Sequence, residues 1–322
     1  MIWEFDCLDS KGLDALCQIR NTLYSNPNDQ YLHDNIVRNA CIKGFVYGDK
    51  TMPEAGLMLY NSDVLIDNQR IVFLGYFDSL NYGAGILLVQ YAIDYCKANL
   101  PNTILVGPVN GSTWGNYRLP VNAFESLFPG DIAGKDYYPD IFNDLGFEVY
   151  CKYSTHIQSV LIPDSSKPVN GCTIEYLNKS EIMSSMNEIY ELSMEAFKTA
   201  PLFQPIDFTF FETKYNQSLK QLDTKLMPFV KDSNNKIVAY LLAYPSYDKE
   251  ALVIKTLARK SGRQYAGLGM LLANEIVNQA IGLGYIKIYH ALMNQSNVSK
   301  VLSRNISGTP CKNYSVYSYK LN

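Results

Sequence analysis

One stretch of this chain occurs twice. Gly83-Ala84-Gly85 opens an apolar helical pattern that ends ahead of a strand-like run and Asn110-Gly111-Ser112. Gly267-Leu268-Gly269 opens another, ending ahead of a similar run and Asn294-Gln295-Ser296. The copies align without a gap at an offset of 184 residues (267 − 83), which also takes Gly85 to Gly269, Asn110 to Asn294 and Ser112 to Ser296. A period this long means a duplicated unit, because solenoid repeats are far shorter. The copies differ at one position of interest: Gln264 stands three residues before Gly267, where the first copy has Leu80.

The 322 residues are enough for two such units, each with its own core. Between them, Pro163-Asp164-Ser165-Ser166-Lys167-Pro168-Val169-Asn170-Gly171 has the composition of a linker. It sets the expected domains at residues 1–164 and 165–322.

In each half, helices precede a meander of strands, then a crossover helix and more strands, which predicts a mixed α/β sheet. In the second half the spacing predicts a helix from Glu181 to Lys198 started by Ser180, and another over 207–219. It also predicts strands over 226–230, 236–244 and 251–257, a helix over 268–281, a strand over 285–293, a short helix over 297–304 and a closing strand over 313–321. The first half repeats this order, with the loop 110–136 inserted before a helix near Tyr138, after which Gly146-Phe147 leads into a final strand through Ile157 to Val160.

Composition removes several function classes. Charged residues are 18% of the chain, net charge is −3, and no block of five or more like charges occurs. Nucleic acids and acidic membranes are therefore not expected partners, since both need clustered Lys and Arg. Gln90 and Asp94 interrupt the best candidate for a membrane span. Acidic residues stand where a signal peptide needs bases, so the cytoplasm is the expected location. The seven cysteines form no C-x-x-C pair and read as scattered buried thiols. His33, His156 and His290 have no neighbouring ligands in sequence, so no metal is expected. No G-x-S-x-G elbow is present. The 25 tyrosines suit half-buried strand surfaces.

The loop Gln264-Tyr265-Ala266-Gly267-Leu268-Gly269 lies between a predicted strand and a predicted helix. Such a loop presents free backbone N–H groups at the positive end of a helix dipole, and glycine lets a phosphate approach them. Arg259, Lys260 and Arg263 lie just before it. A [QR]-x-x-G-x-[GA] pattern arises by chance about 0.3 times in such a chain, so its strand–helix context and its repeat carry the weight. A dinucleotide loop would want Gly or Ala where Leu272 stands, and a P-loop would want Gly-Lys-Ser/Thr.

On Gln264, Gly267 and Gly269, with the flanking strands and Asn294, the second half resembles the GNAT superfamily of acyl-CoA-dependent N-acyltransferases. The first half, with Leu145-Gly146-Phe147 near its end, resembles a degenerate copy, so the whole chain resembles a tandem GNAT protein. The resemblance implies acetyl-CoA or another acyl-CoA as donor and an amine of a small molecule or peptide as acceptor. It implies that backbone amides of Gln264, Tyr265, Ala266, Gly267, Leu268, Gly269 and Met270, helped by Arg259 and Arg263, hold the pyrophosphate. Leu257 would polarise the thioester through its backbone, and Asn294 and Asn297 would flank the pantetheine arm.

Two departures stand out. Many members carry a Tyr acid in the last helix, where Leu302-Ser303-Arg304 occurs, so Ser303 is the available substitute. Many carry a carboxylate base on the strand before the loop, where Val253-Ile254-Lys255-Thr256 occurs. Glu250, His290, Asp207 and Glu212 are the candidate bases. Trp114 and Tyr117, in the donor-rich stretch Gly107–Arg118, and Phe203 and Phe208, between two helices, are candidate acceptor contacts. The departures keep two alternatives open: a non-catalytic acyl-CoA-binding protein, and a transferase drawing on a carrier-protein or tRNA-linked donor.

Overall fold

A computed structural model describes residues 1–24, 41–163, 169, 171–220 and 222–321. His33, the 164/165 boundary and most of the expected linker lie outside these residues. The chain forms two compact units, each a mixed α/β sheet with helices. Unit 1 comprises Met1–Ser126, Ile132–Lys152 and Asn313–Asn322; unit 2 comprises Leu127–Asp131 and Tyr153–Lys312.

In unit 1, β1 (Ile2–Phe5), β2 (Cys41–Gly48), β3 (Pro53–Ile66) and β4 (Gln69–Ser79) form an antiparallel meander. β5 (Ile104–Gly107) then pairs parallel to β4. Parallel neighbours need a crossover, and α2 (Tyr82–Asn99) supplies it. Its Leu88, Val89, Ala92 and Ile93 share a core with Leu57, Leu59, Val72 and Leu74. α1 (Ser10–Leu23) is capped by Asp9, and α3 is the short helix Tyr138–Asp144.

The last sheet position of unit 1 is filled by the C-terminal part of β13 (Thr309–Lys320), where Tyr317 pairs with Gly107 and Lys320 with Ile104. β6 (Leu119–Pro120) also pairs with β13.

Unit 2 has the same plan. β8 (Cys172–Tyr176), β9 (Pro228–Asp232), β10 (Ile237–Pro245) and β11 (Ala251–Arg259) are antiparallel neighbours, and α7 (Leu268–Gly282) crosses to β12 (Lys287–Asn294), parallel to β11. The last position is taken by residues of β7 (Glu148–Gln158), with His290 opposite His156. The closing strand of each half of the sequence is thus built into the other unit. A single cut at 164/165 does not reproduce these units, because strand pairing across the sheet settles membership and sequence proximity does not.

Two local expectations need correction. The helix expected from Glu181 to Lys198 is two helices, α4 (Lys179–Ser184) and α5 (Met186–Phe197). Asn178 starts the first in place of Ser180: its side chain accepts from Glu181 N while the Glu181 carboxylate accepts from Asn178 N, a reciprocal capping box. The cysteines are not all free thiols, since Cys7 and Cys41 form a disulfide. The antiparallel register that sets Phe5 opposite Gly44 brings them together, and sequence spacing does not reveal it. Among the described free cysteines only Cys96 is buried.

The hairpin turn after Asp232 is as the sequence predicts. Asp232 Oδ1 accepts from the N–H groups of Asn234 and Lys236.

Candidate functional site in unit 2

β11 and β12 pair from Ala251↔Lys287 to Ile254↔His290 and no further. Beyond that level β11 stays bonded to β10, through Leu257↔Leu241 and Arg259↔Ala239, while β12 departs. Both strands are irregular here: β11 shifts register around Lys255, and β12 bulges between His290 and Met293, with Leu292 at φ +57°. The parallel pair therefore opens into a wedge. Val253 is buried, whereas Ile254, Lys255, Thr256 and Leu257 are half-buried.

The loop closing this wedge is held at its base. Lys260 N donates to Val238 O, and Ser261 donates from both its backbone and its hydroxyl to Glu195 Oε1. Those bonds hold the Glu195 carboxyl below the usual range. Arg263–Tyr265 form one 3₁₀ turn, and Gly267 at φ +91° reverses the chain into α7. That left-handed conformation favours glycine.

Gly267 offers no side-chain cap, and the first-turn amides of Leu268, Gly269 and Met270 have no carbonyl within the helix to bond. Gly269 is buried, and a Cβ there would lie 3.1 Å from Leu302 Cδ1 and 3.7 Å from Leu257 Cδ2. The loop, Leu257 and α8 (Val298–Asn305) thus meet around one point. Arg263 and Gln264 are exposed and Arg259 is half-buried beside them. The arrangement is a positive helix end whose first-turn amides have no partner within the helix, beside the opened β11–β12 pair, a setting that suits a phosphate group.

At the wedge apex three buried side chains are joined. Ser303 Oγ, on α8, lies 2.6 Å from His290 Nδ1 and 2.9 Å from His156 Nδ1. Ser154 Oγ lies 3.2 Å from His156 Nε2. His290 is 4% exposed and its Nε2 has no hydrogen-bond partner. Burial, reinforced by His156, pushes the His290 imidazolium down to about 4. Burial and the charges of Lys300 and Arg304 also lower His156. Both rings are neutral at pH 7.

The other expected residues are dispersed. Glu250 stands at the start of β11, away from the wedge, exposed and paired with Lys287 at 3.1 Å. Asp207 caps α6 (Phe208–Leu219) through Phe210 N, and Glu212 lies along that helix. Asn294 Oδ1 accepts from Ser296 N, and its buried Nδ2 has no partner. Asn297 caps α8. Phe208 packs edge-on against Tyr190 at 5.6 Å, and Phe203 is half-buried in the turn before it.

Trp114 and Tyr117 belong to unit 1, where their loop closes on itself through Gly115 N to Ser112 O and Arg118 N to Pro108 O. Besides the end of β7 from Tyr153, the first half contributes Leu127–Asp131 to unit 2, a segment the sequence does not single out. There Phe128 packs on Val253 and Ala291, and Asp131 pairs with Lys312 at 3.0 Å, both side chains fully buried. His156 is likewise missed, because 147 residues separate it from Ser303.

Among the described residues no cluster of three or more His, Cys, Asp or Glu side chains is placed to hold a metal ion. No described helix is long and apolar enough to cross a membrane.

No protein-family model matches the sequence, and no curated protein does. Solved structures do match over the whole chain. A GCN5-related N-acetyltransferase from Sphaerobacter thermophilus is 11% identical at a TM-score of 0.58, covering 100% of this chain and 96% of its own. A tandem GNAT protein from the clavulanic acid biosynthesis pathway is 10% identical at 0.59, covering 100% and 98%. A probable N-acyltransferase from Enterococcus faecalis is 8% identical at 0.62, covering 100% and 72%. The chain has the fold of these proteins, that of tandem GCN5-related N-acetyltransferases.

Proposed function

We propose that unit 2 binds acetyl-CoA or another acyl-CoA and transfers the acyl group to an amine of a small molecule or peptide. The observation that carries this reading is the uncapped, glycine-opened start of α7 at the mouth of the β11–β12 wedge. In it, the amides of Gln264–Met270 take the pyrophosphate, with Arg259 and Arg263 supplying positive charge. The pantetheine arm enters the wedge between Leu257 and α8, and the backbone at Leu257 faces the thioester. The amine nitrogen attacks the thioester carbon, the carbon–sulfur bond breaks, and the thiolate takes the proton that the amine releases.

A charged amine must first lose one proton to free its lone pair; the proton that the thiolate takes is the second. A lysine-like amine is mostly charged at pH 7, and freeing its lone pair costs about 4.6 kcal/mol. The exposed position of Glu250 away from the wedge and the weak basicity of His290 count against both as the base. This favours an acceptor of low basicity or a water relay. It also supports a second reading, an acyl-CoA-binding protein without turnover.

Unit 1 fits a structural partner that binds no donor of its own. Asn81 caps its glycine-opened helix, and Asn110 closes its strand pair.

The test is calorimetric titration of acetyl-CoA and longer acyl-CoAs into wild type and Gly267→Asp. Position 267 is exposed and Asp tolerates its backbone conformation better than most residues, so the change adds a negative charge to the helix end while sparing the core. Binding that this substitution removes, followed by CoA release with an amine panel, supports a transferase. Binding without release under any acceptor supports the second reading.

A further inference from the structure

His290 carries a buried polar atom that nothing on the described chain satisfies. An orphaned buried donor or acceptor costs about 1–3 kcal/mol and asks for an explanation. Its place is informative: His290 is the last β12 residue paired with β11, at the apex of the wedge.

The proton count around Ser303 narrows what the atom is. Ser303 Oγ has one proton and two imidazole neighbours, so it donates to one ring and accepts from the other. We place the His156 proton on Nδ1, the nitrogen that faces Ser303. With the proton there, Ser154 Oγ–H donates to His156 Nε2, His156 Nδ1–H to Ser303 Oγ, and Ser303 Oγ–H to His290 Nδ1. His290 is left as the neutral tautomer with an unused Nε2–H.

We propose that His290 is a substrate-binding residue whose Nε2–H donates a hydrogen bond to the thioester end of the acyl-pantetheine arm. Ser303 and His156 are positioning residues that fix its tautomer. The inference rests on the donor site proposed above and changes what His290 does there, from base to donor. A neutral imidazole can polarise an acyl group while keeping its own proton, and a water-poor setting strengthens that bond. The low basicity of the ring agrees with this role.

The test is heteronuclear NMR on the full-length protein with isotope-labelled histidines, beside calorimetry. His290 is assigned by its loss in His290→Gln. The expected result is a free protein with His290 in the Nε2–H form. Acetyl-CoA should shift that resonance, and the adenosine bisphosphate half of CoA should leave it unmoved.

Ser303→Ala should mix the tautomers and weaken acetyl-CoA binding about fivefold, the size of one neutral hydrogen bond. His290→Gln, which keeps a side-chain N–H, should lose less than His290→Leu. If the leucine variant does not fold, the wild-type spectra and Ser303→Ala carry the test. An Nδ1–H tautomer, or an unmoved resonance while calorimetry shows acetyl-CoA bound, overturns this inference alone. A wild type that binds no acyl-CoA overturns the donor site along with it.

Discussion

The two glycine-opened helices hold equivalent crossover positions in the two units and start differently. In unit 1, α2 starts before its glycines: Gly83 is inside the helix, and Asn81 accepts from Ala84 N, filling the position an anion would take. The Glu54 carboxylate holds the Asn81 amide at 3.1 Å, placing negative charge at the same spot. In unit 2 the glycine is itself the helix boundary and offers no cap.

The paired asparagines diverge in the same sense. Asn110 reaches across to accept from Tyr76 N at 2.7 Å, and Val109 N donates to Leu74 O, so the unit 1 wedge is stitched shut and β4 is buried from Ile71 to Ser79. Tyr76 lies as far beyond the last paired residue, Phe73, as Leu257 lies beyond Ile254. Asn294 instead bonds its own turn, and β11 stays half-open. In unit 1 the corresponding polar groups have internal partners, and the unit keeps its fold.

Four perturbations would break or sharpen this contrast, from largest to smallest. Lys312→Ala removes one partner of a fully buried ion pair that anchors Leu127–Asp131 in unit 2. It should cost about 3–5 kcal/mol, read as a lower denaturant midpoint. A midpoint unchanged from wild type would mean that unit 2 does not depend on that segment.

Acid should weaken unit 2 through its two buried histidines, His156 and His290. Folded His290 titrates at about 4, against the ordinary 6.5. Between those values the unfolded chain binds more protons, so stability is full above about pH 6.5 and declines as pH falls toward 4, by about 3 kcal/mol in all. His156 is shifted in the same direction and adds to the slope. Denaturant midpoints across this window should flatten in His290→Leu; an equally steep dependence in that variant would contradict the assignment.

Asn110→Ala deletes a buried hydrogen bond and should destabilise the protein by about 1–3 kcal/mol while leaving acyl-CoA affinity unchanged. A changed affinity in calorimetry would place donor contacts in unit 1. Asn81→Ala removes a helix cap worth about 1 kcal/mol and should confer no second acyl-CoA site, as thermal denaturation and titration would show.

Much of this was legible in the sequence because it is local chemistry. The glycines at 267 and 269 and the predicted strand and helix around them follow from residue type and spacing, whereas the cap roles of Asp207 and Asn297 do not appear in that reading. The repeat located both crossover helices. What was not legible depends on pairing between distant strands: the exchange of closing strands, the Cys7–Cys41 bond and the meeting of His156, Ser303 and His290. Leu80 in place of Gln264 hinted at the asymmetry. The means of it, Asn81 and Asn110 turned inward, is visible only once the backbone is placed.

The most direct test of the contrast is the stoichiometry of acetyl-CoA binding, measured by calorimetry in wild type and in Gly267→Asp. One site per chain, lost in the variant, is the predicted result. Two sites in wild type, or one that survives the substitution, would contradict it.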